Sequence, residues 1–351
     1  MKPFFSGIKS IISSGDFIFG TYFKNEEYLD GPRSIEFIRE DCSHVLYSDI
    51  KSYKLKKVEQ NYSNFSNLKE KHLKEFSNTL NSKSIFIEDC SFVNKMIVNL
   101  PPIVKLNQEL IVNYIENFCN YHSSIIDCII FDFESLFFEY NSENNEFEYK
   151  NGVLLFEDYS SVVYEIIKAY RNFFPDIKIF IQLPNIFNIA NSSLNSNVFE
   201  YIVNFYKEQL KNILGTISGF SIQSKLKDID TITSITTLLE IINICNSNQT
   251  KLLLQNLQFE DFNTTGGKLA RQNLAKSKYT SFFNNLIDAG INFNNFSGII
   301  LTNLAPIYSP EVNRFPNGDY SANSVFDENY LLTPFYRALR TFFRTLITIP
   351  E

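Results

Sequence analysis

The chain has 351 residues, 44% of them hydrophobic and 20% charged, a composition that supports a sizeable core and excludes disordered and fibrous classes. Its net charge of -7 comes from 32 basic and 39 acidic residues scattered without long runs, which argues against nucleic acid and anionic membrane surfaces as partners. Cys42, Cys90, Cys119, Cys128 and Cys245 form no CxxC pair, so buried free thiols are expected, with no metal site and no cofactor.

Near the N-terminus, Lys9 and serines interrupt the chain before an apolar run of secretory length develops, and no later stretch reaches the length of a membrane span. The expected location is the cytoplasm, or outside the cell by a route without a signal peptide, or after removal of a leader. Short β-branched runs then alternate with amphipathic stretches. Strands are predicted at 17–23, 43–49, 95–100, 126–133, 177–183, 217–224, 250–256 and 297–303. Helices are predicted at 107–121, 158–173, 197–214, 231–244, 269–289 and 328–346, with Gly290 as a C-cap. Eight strand–helix repeats predict an α/β fold, a (β/α)8 TIM barrel, formed by a single domain over 1–351. Two insertions are expected, a polar stretch at 51–94 after the second strand and a hairpin within about 138–157 after the fourth. The hairpin reads as 146–156, turning on Asn151-Gly152.

The most informative run is Ile126-Asp127-Cys128-Ile129-Ile130-Phe131-Asp132-Phe133-Glu134, an apolar strand ending in two acids. Side chains two apart on a strand share a face, so Ile130, Asp132 and Glu134 point one way and Ile129, Phe131 and Phe133 the other. A carboxylate beside another, in apolar surroundings, is expected to have a raised pKa, as a general acid at neutral pH requires. In a (β/α)8 fold that strand end is where chemistry sits. The bland alternative is that the acids cap the following helix. His44 reads as a packed strand histidine, and the stripes among the 35 phenylalanines read as core.

This run resembles the active-site strand of glycoside hydrolase family 18, the chitinases and endo-β-N-acetylglucosaminidases, which reads apolar-Asp-Gly-apolar-Asp-apolar-Asp-x-Glu. Seven of nine positions match, with Cys128 in place of the glycine and Ile130 in place of the middle acid. The resemblance continues through Phe19-Gly20-Thr21-Tyr22-Phe23, Cys42-Ser43-His44-Val45-Leu46-Tyr47, the third strand with Asn99, Phe180-Ile181-Gln182-Leu183-Pro184, Gly219-Phe220-Ser221-Ile222-Gln223 and Gly298-Ile299-Ile300-Leu301. It implies substrate-assisted retention. Glu134 would protonate the glycosidic oxygen, Asp132 would orient the acetamido group, and Asp127 would support them. Tyr22, Asn99, Gln182 and Gln223 would contact substrate, a chitin-like glycan or N-glycan, and no cofactor is implied.

The departures cluster around that pair. Ile130 removes a carboxylate neighbour, Thr302 stands where the family has a stacking tryptophan, Lys225 replaces a tyrosine, and Pro101-Pro102 replaces a glycine pair. The chain has no tryptophan at all. Three readings therefore stay open: a chitinase-like hydrolase, a silent chitinase-like lectin or structural subunit of an assembly such as an insecticidal toxin complex, and a barrel hydrolase of another family with the same carboxylates aimed at a different sugar.

Overall fold

The computed structural model describes residues 7–13, 16–22, 32–48, 95–100, 112, 115–116, 119–120, 125–132, 138–141, 146–149, 160–183, 200, 203–204, 207–208, 215–226, 235–259, 268–301, 304, 324–327, 329 and 331–348. Among the described residues are ten strands: β1 (Ile18–Tyr22), β2 (His44–Ser48), β3 (Met96–Leu100), β4 (Ile126–Asp132), β5 (Phe138–Asn141), β6 (Glu146–Tyr149), β7 (Lys178–Leu183), β8 (Gly219–Leu226), β9 (Lys251–Phe259) and β10 (Phe296–Leu301). All eight predicted parallel strands are among them. Their order, β1-β10-β9-β8-β7-β4-β3-β2, is that of a (β/α)8 fold. The 51–94 insertion lies outside the described residues. By contact density the chain forms two units, Met1–Leu46 with Leu183–Asn204 and Ser218–Glu351, and Tyr47–Gln182 with Phe205–Ile217.

In the first unit the pairing runs β2-β1-β10-β9-β8, all parallel. Register fixes the faces. Ile18 pairs with Gly298, Gly298 with Leu253 and Leu253 with Ser221, so these share one side with Gly20, Tyr22, Gln223 and Gln255. Phe19, one residue out of step, stacks edge-on against Phe37 and Phe343 of flanking helices at 6.4 and 5.6 Å. The Phe19 side therefore faces helices, and the Tyr22 side faces away from them.

The helix Pro334–Leu346 shows how sequence sets this packing. Pro334 occupies the first turn, where its missing N–H costs nothing, and the Thr333 side chain accepts from the Tyr336 N–H as N-cap. Phe335, Leu339, Phe342, Phe343 and Leu346 recur at the 3.6-residue period and are buried. Phe342 stacks on Phe283 at 4.5 Å and Phe335 meets Tyr279 at 4.2 Å, so the phenylalanine stripes are core, as expected. The helix begins six residues later than the predicted 328, because Pro334 sets its start and residues 326 and 332 form a β-bridge ahead of it. The short helix Ile8–Ile12 and the helix Pro32–Asp41 were not predicted. The first is too short to display a period.

Asp41 ties three helices of this unit together. Its Oδ1 accepts from the Ile8 N–H at 2.8 Å and from the Tyr336 hydroxyl at 2.6 Å. Burial, then the Asp41 carboxylate, push the Tyr336 hydroxyl well above its ordinary pKa, so it stays a donor. Asp41→Ala should strand both donors and cost about 3 kcal/mol, read as a lowered urea midpoint at unchanged m. Asp41→Asn, which keeps an oxygen at the same place, should recover more than half of that loss. Equal losses in both variants would refute the bonding role.

In the second unit β3, β4 and β7 pair in parallel. A separate antiparallel pair joins Phe138–Asn141 to Glu146–Tyr149. The strand Glu146–Tyr149 thus pairs with the segment that precedes it in the chain. Asn151 and Gly152 lie outside the described residues. Among the described residues Cys42, Cys119, Cys128 and Cys245 are buried and outside any disulfide, as read from the sequence. Burial pushes Cys42 up, and pushes Cys245 up to about 12. No described helix is long and apolar enough to cross a membrane.

Candidate functional site

A polar network closes the strand ends of the first unit. Tyr22, the last residue of β1, takes a hydrogen bond from Gln255 Nε2, and Gln255 Oε1 accepts from Ser221 Oγ at 2.6 Å. Asn256 Nδ2 donates to Gln223 Oε1. Ser221 and Gln255 are fully buried, and Gln258, two residues beyond Asn256, is nearly so. The polar residues sit on the face turned from the helices, where the strands otherwise present Ile18, Leu253 and Ile300. Buried amides and hydroxyls are stable there because each satisfies another.

Asn256 has a left-handed backbone, φ 57°, inside β9. Side chains at 255 and 256 would point to opposite faces in a regular strand, yet here both bond to residues of one face, Tyr22 and Ser221 for the first and Gln223 for the second. The β8–β9 register shifts beyond this point, with Lys225 opposite Gln258. Asparagine tolerates this conformation better than other non-glycine residues.

Of the sequence-predicted contacts, Tyr22 and Gln223 join this network. Ser221, Gln255 and Asn256 were missed. The available signal was Gln255-Asn256 in Leu252-Leu253-Leu254-Gln255-Asn256-Leu257-Gln258, amides breaking an aliphatic run where a strand ends. His44 is buried on β2, its Nδ1 2.8 Å from Ser43 Oγ, which matches the packed-histidine reading.

In the second unit Asp132 is the last residue of β4, level with Gln182 on β7, and Asn99 on β3 is level with Ile130. Gln182 is buried. Glu134 lies outside the described residues. Asp127 is at the opposite end of β4, five residues before Asp132. Its two oxygens meet Lys95 Nζ at 3.3 Å and Lys178 Nζ at 3.4 Å, and Cys128 Sγ lies 3.2 Å from Oδ2. At roughly 3.3 Å per residue this separates the two aspartates along the strand by about 16 Å. Asp127 thus balances two lysines where the strands begin.

No family model matches the chain, and no curated protein sequence matches it. Solved structures do. Native xylanase 10C from Cellvibrio japonicus superposes with a TM-score of 0.63 at 13% identity, covering 97% of this chain and 73% of that one. The Penicillium canescens endo-1,4-beta-xylanase XylE gives 0.59 at 13% identity, with 97% and 98% covered. Xylanase 10B from Thermotoga maritima gives 0.56 at 14% identity, with 97% and 98% covered. At such identities the likeness shows the (β/α)8 fold.

These neighbours correct the family 18 resemblance. The similar barrels named here are xylanases, and two xylanases among the matches are described as glycoside hydrolase family 10. The chitinase-like hydrolase, lectin and toxin-complex subunit fall with it, and these neighbours give no support to a chitin-like glycan or N-glycan in particular. The misleading signal was physical. An apolar strand ending in Asp-x-Glu is a short pattern, and a short pattern on a shared fold does not define a family.

Proposed function

We propose that this chain is a glycoside hydrolase acting on a xylan-type, β-1,4-linked polysaccharide, with Glu134 as proton donor at the end of the fourth barrel strand. The observation that carries the reading is the likeness to xylanases across 95–97% of the chain, one of them in complex with xylopentaose. The neutral polar network supports it. A pentose polymer offers hydroxyls and ring oxygens without charge, and the partly exposed members of the network, Tyr22, Gln223 and Asn256, are neutral polar groups of matching kind, held in place by the buried Ser221 and Gln255. Glu134 would protonate the leaving oxygen while Asp132, two residues earlier, shapes its field.

Hydrolysis by the two-carboxylate route needs a second acid across the scissile bond, about 5 Å away for retention and about 6.5–9.5 Å for inversion. Glu260 and Asp261 follow β9 in the sequence and lie outside the described residues. A second reading is favoured by one observation: in the described part of β9 beyond Leu254, the side chains with hydrogen-bonding groups are amides, Gln255, Asn256 and Gln258. A barrel so furnished would bind the glycan without cleaving it. Release of reducing ends from purified xylan tests the hydrolase, and calorimetry with xylohexaose tests binding. Turnover supports the first reading, and heat without turnover supports the second. Neither heat nor turnover would overturn both.

A further inference from the structure

We infer that Gln182 is a specificity-determining contact for a hydroxyl of the bound glycan, its side-chain oxygen accepting a hydrogen bond that the folded chain leaves open. The inference rests on the glycan reading above and names one of its contacts.

Gln182 is 3% exposed, and its Oε1 is buried with no hydrogen-bond donor among the described residues. Buried acceptors are nearly always paired, because an unpaired one forfeits its water without replacement. An exception at a barrel strand end needs a reason. Packing does not supply one: Ile179, Ile181 and Leu183 make the alternate face of β7 wholly aliphatic, and a methionine would fill the place of Gln182 without a polar atom.

Position supplies the reason. Gln182 is the penultimate residue of β7, on the face it shares with Phe180, and its register partner is Asp132 at the end of β4. In a (β/α)8 fold the carboxyl ends of the strands are where ligands meet the protein. The aliphatic face suits the covering helices, and the face ending in Gln182 and Asp132 suits the interior. An acceptor held ready there selects for a ligand that brings a donor. A sugar hydroxyl does so, and the analogue lacking it would leave the cost of the buried oxygen in place.

The test compares wild type with Gln182→Met, nearly isosteric and without the acceptor, using xylohexaose in calorimetry and thermal unfolding without ligand. Expected are a Tm equal to or above that of wild type, because an unpaired acceptor has gone, and a Kd for xylohexaose raised about 3- to 10-fold. A Tm lowered by several degrees would show that the amide holds the fold, and an unchanged Kd would show that it does not touch the glycan. Either result overturns the assignment of Gln182 while leaving the hydrolase reading intact. Absence of binding and turnover in wild type itself would instead remove the glycan reading, and this assignment with it.

Discussion

Gly298→Ala should abolish accumulation of folded protein at 37 °C. Gly298 has φ 142°, which side-chain-bearing residues rarely adopt, and a Cβ there would lie 1.8 Å from the carbonyl oxygen of Ile18. That oxygen belongs to the neighbouring strand at the paired position, so relief requires β1 and β10 to part. Backbone strain of about 1–3 kcal/mol then adds to the loss of ladder bonds and of the packing beneath Phe296 and Ile299. The sum, at least about 4 kcal/mol, is a large part of the 5–15 kcal/mol that typically holds a domain. Gly290 is the control. Its φ is 83°, but nothing lies within 4 Å of an added Cβ, so Gly290→Ala should lose only about 1 kcal/mol. Soluble yield and urea midpoints measure both. Similar losses at the two sites would show that the collision with Ile18 is not what demands glycine.

Glu134→Gln should lower turnover of xylan by about 10²- to 10⁴-fold, the usual contribution of a positioned proton donor. The amide keeps the shape and most hydrogen bonds of the carboxyl group but has no proton to give, so the Kd for xylohexaose should change little. That split between rate and affinity separates a proton donor from a binding residue. The rate of an aryl xyloside with a good leaving group should fall least, since such a group departs with little protonation. Equal xylan rates in wild type and variant would remove Glu134 from the mechanism.

The fold was legible because its signal is repeated. Eight aliphatic runs separated by amphipathic stretches report a parallel barrel even when individual boundaries are off by one to three residues, as at β8 and β9. Residues of the candidate site were legible only where polar residues interrupt such a run. Asp132 and Gln182 do so on β4 and β7, and Tyr22 and Gln223 do so on β1 and β8. Gln255 and Asn256 interrupt β9 just as plainly, but a strand read through 256 gives them opposite faces, and the left-handed residue that brings them to one lies in the backbone. The xylan-type sugar proposed above was not legible, because Asp-x-Glu at a strand end names two residue types and no ligand.

The left-handed residue in β9 has a consequence for how this mouth can change. Two neighbouring amides serve one face because of a single torsion angle at Asn256. Residues that accept that torsion, asparagine, aspartate or glycine, can exchange there and alter the chemistry while the geometry persists. A β-branched residue would instead pull the strand back into alternation and swing position 256 toward the helices. The place is thus a hinge for inheritance: its variation is confined to a short alphabet, and within that alphabet one substitution turns a neutral amide into a carboxylate without moving the chain.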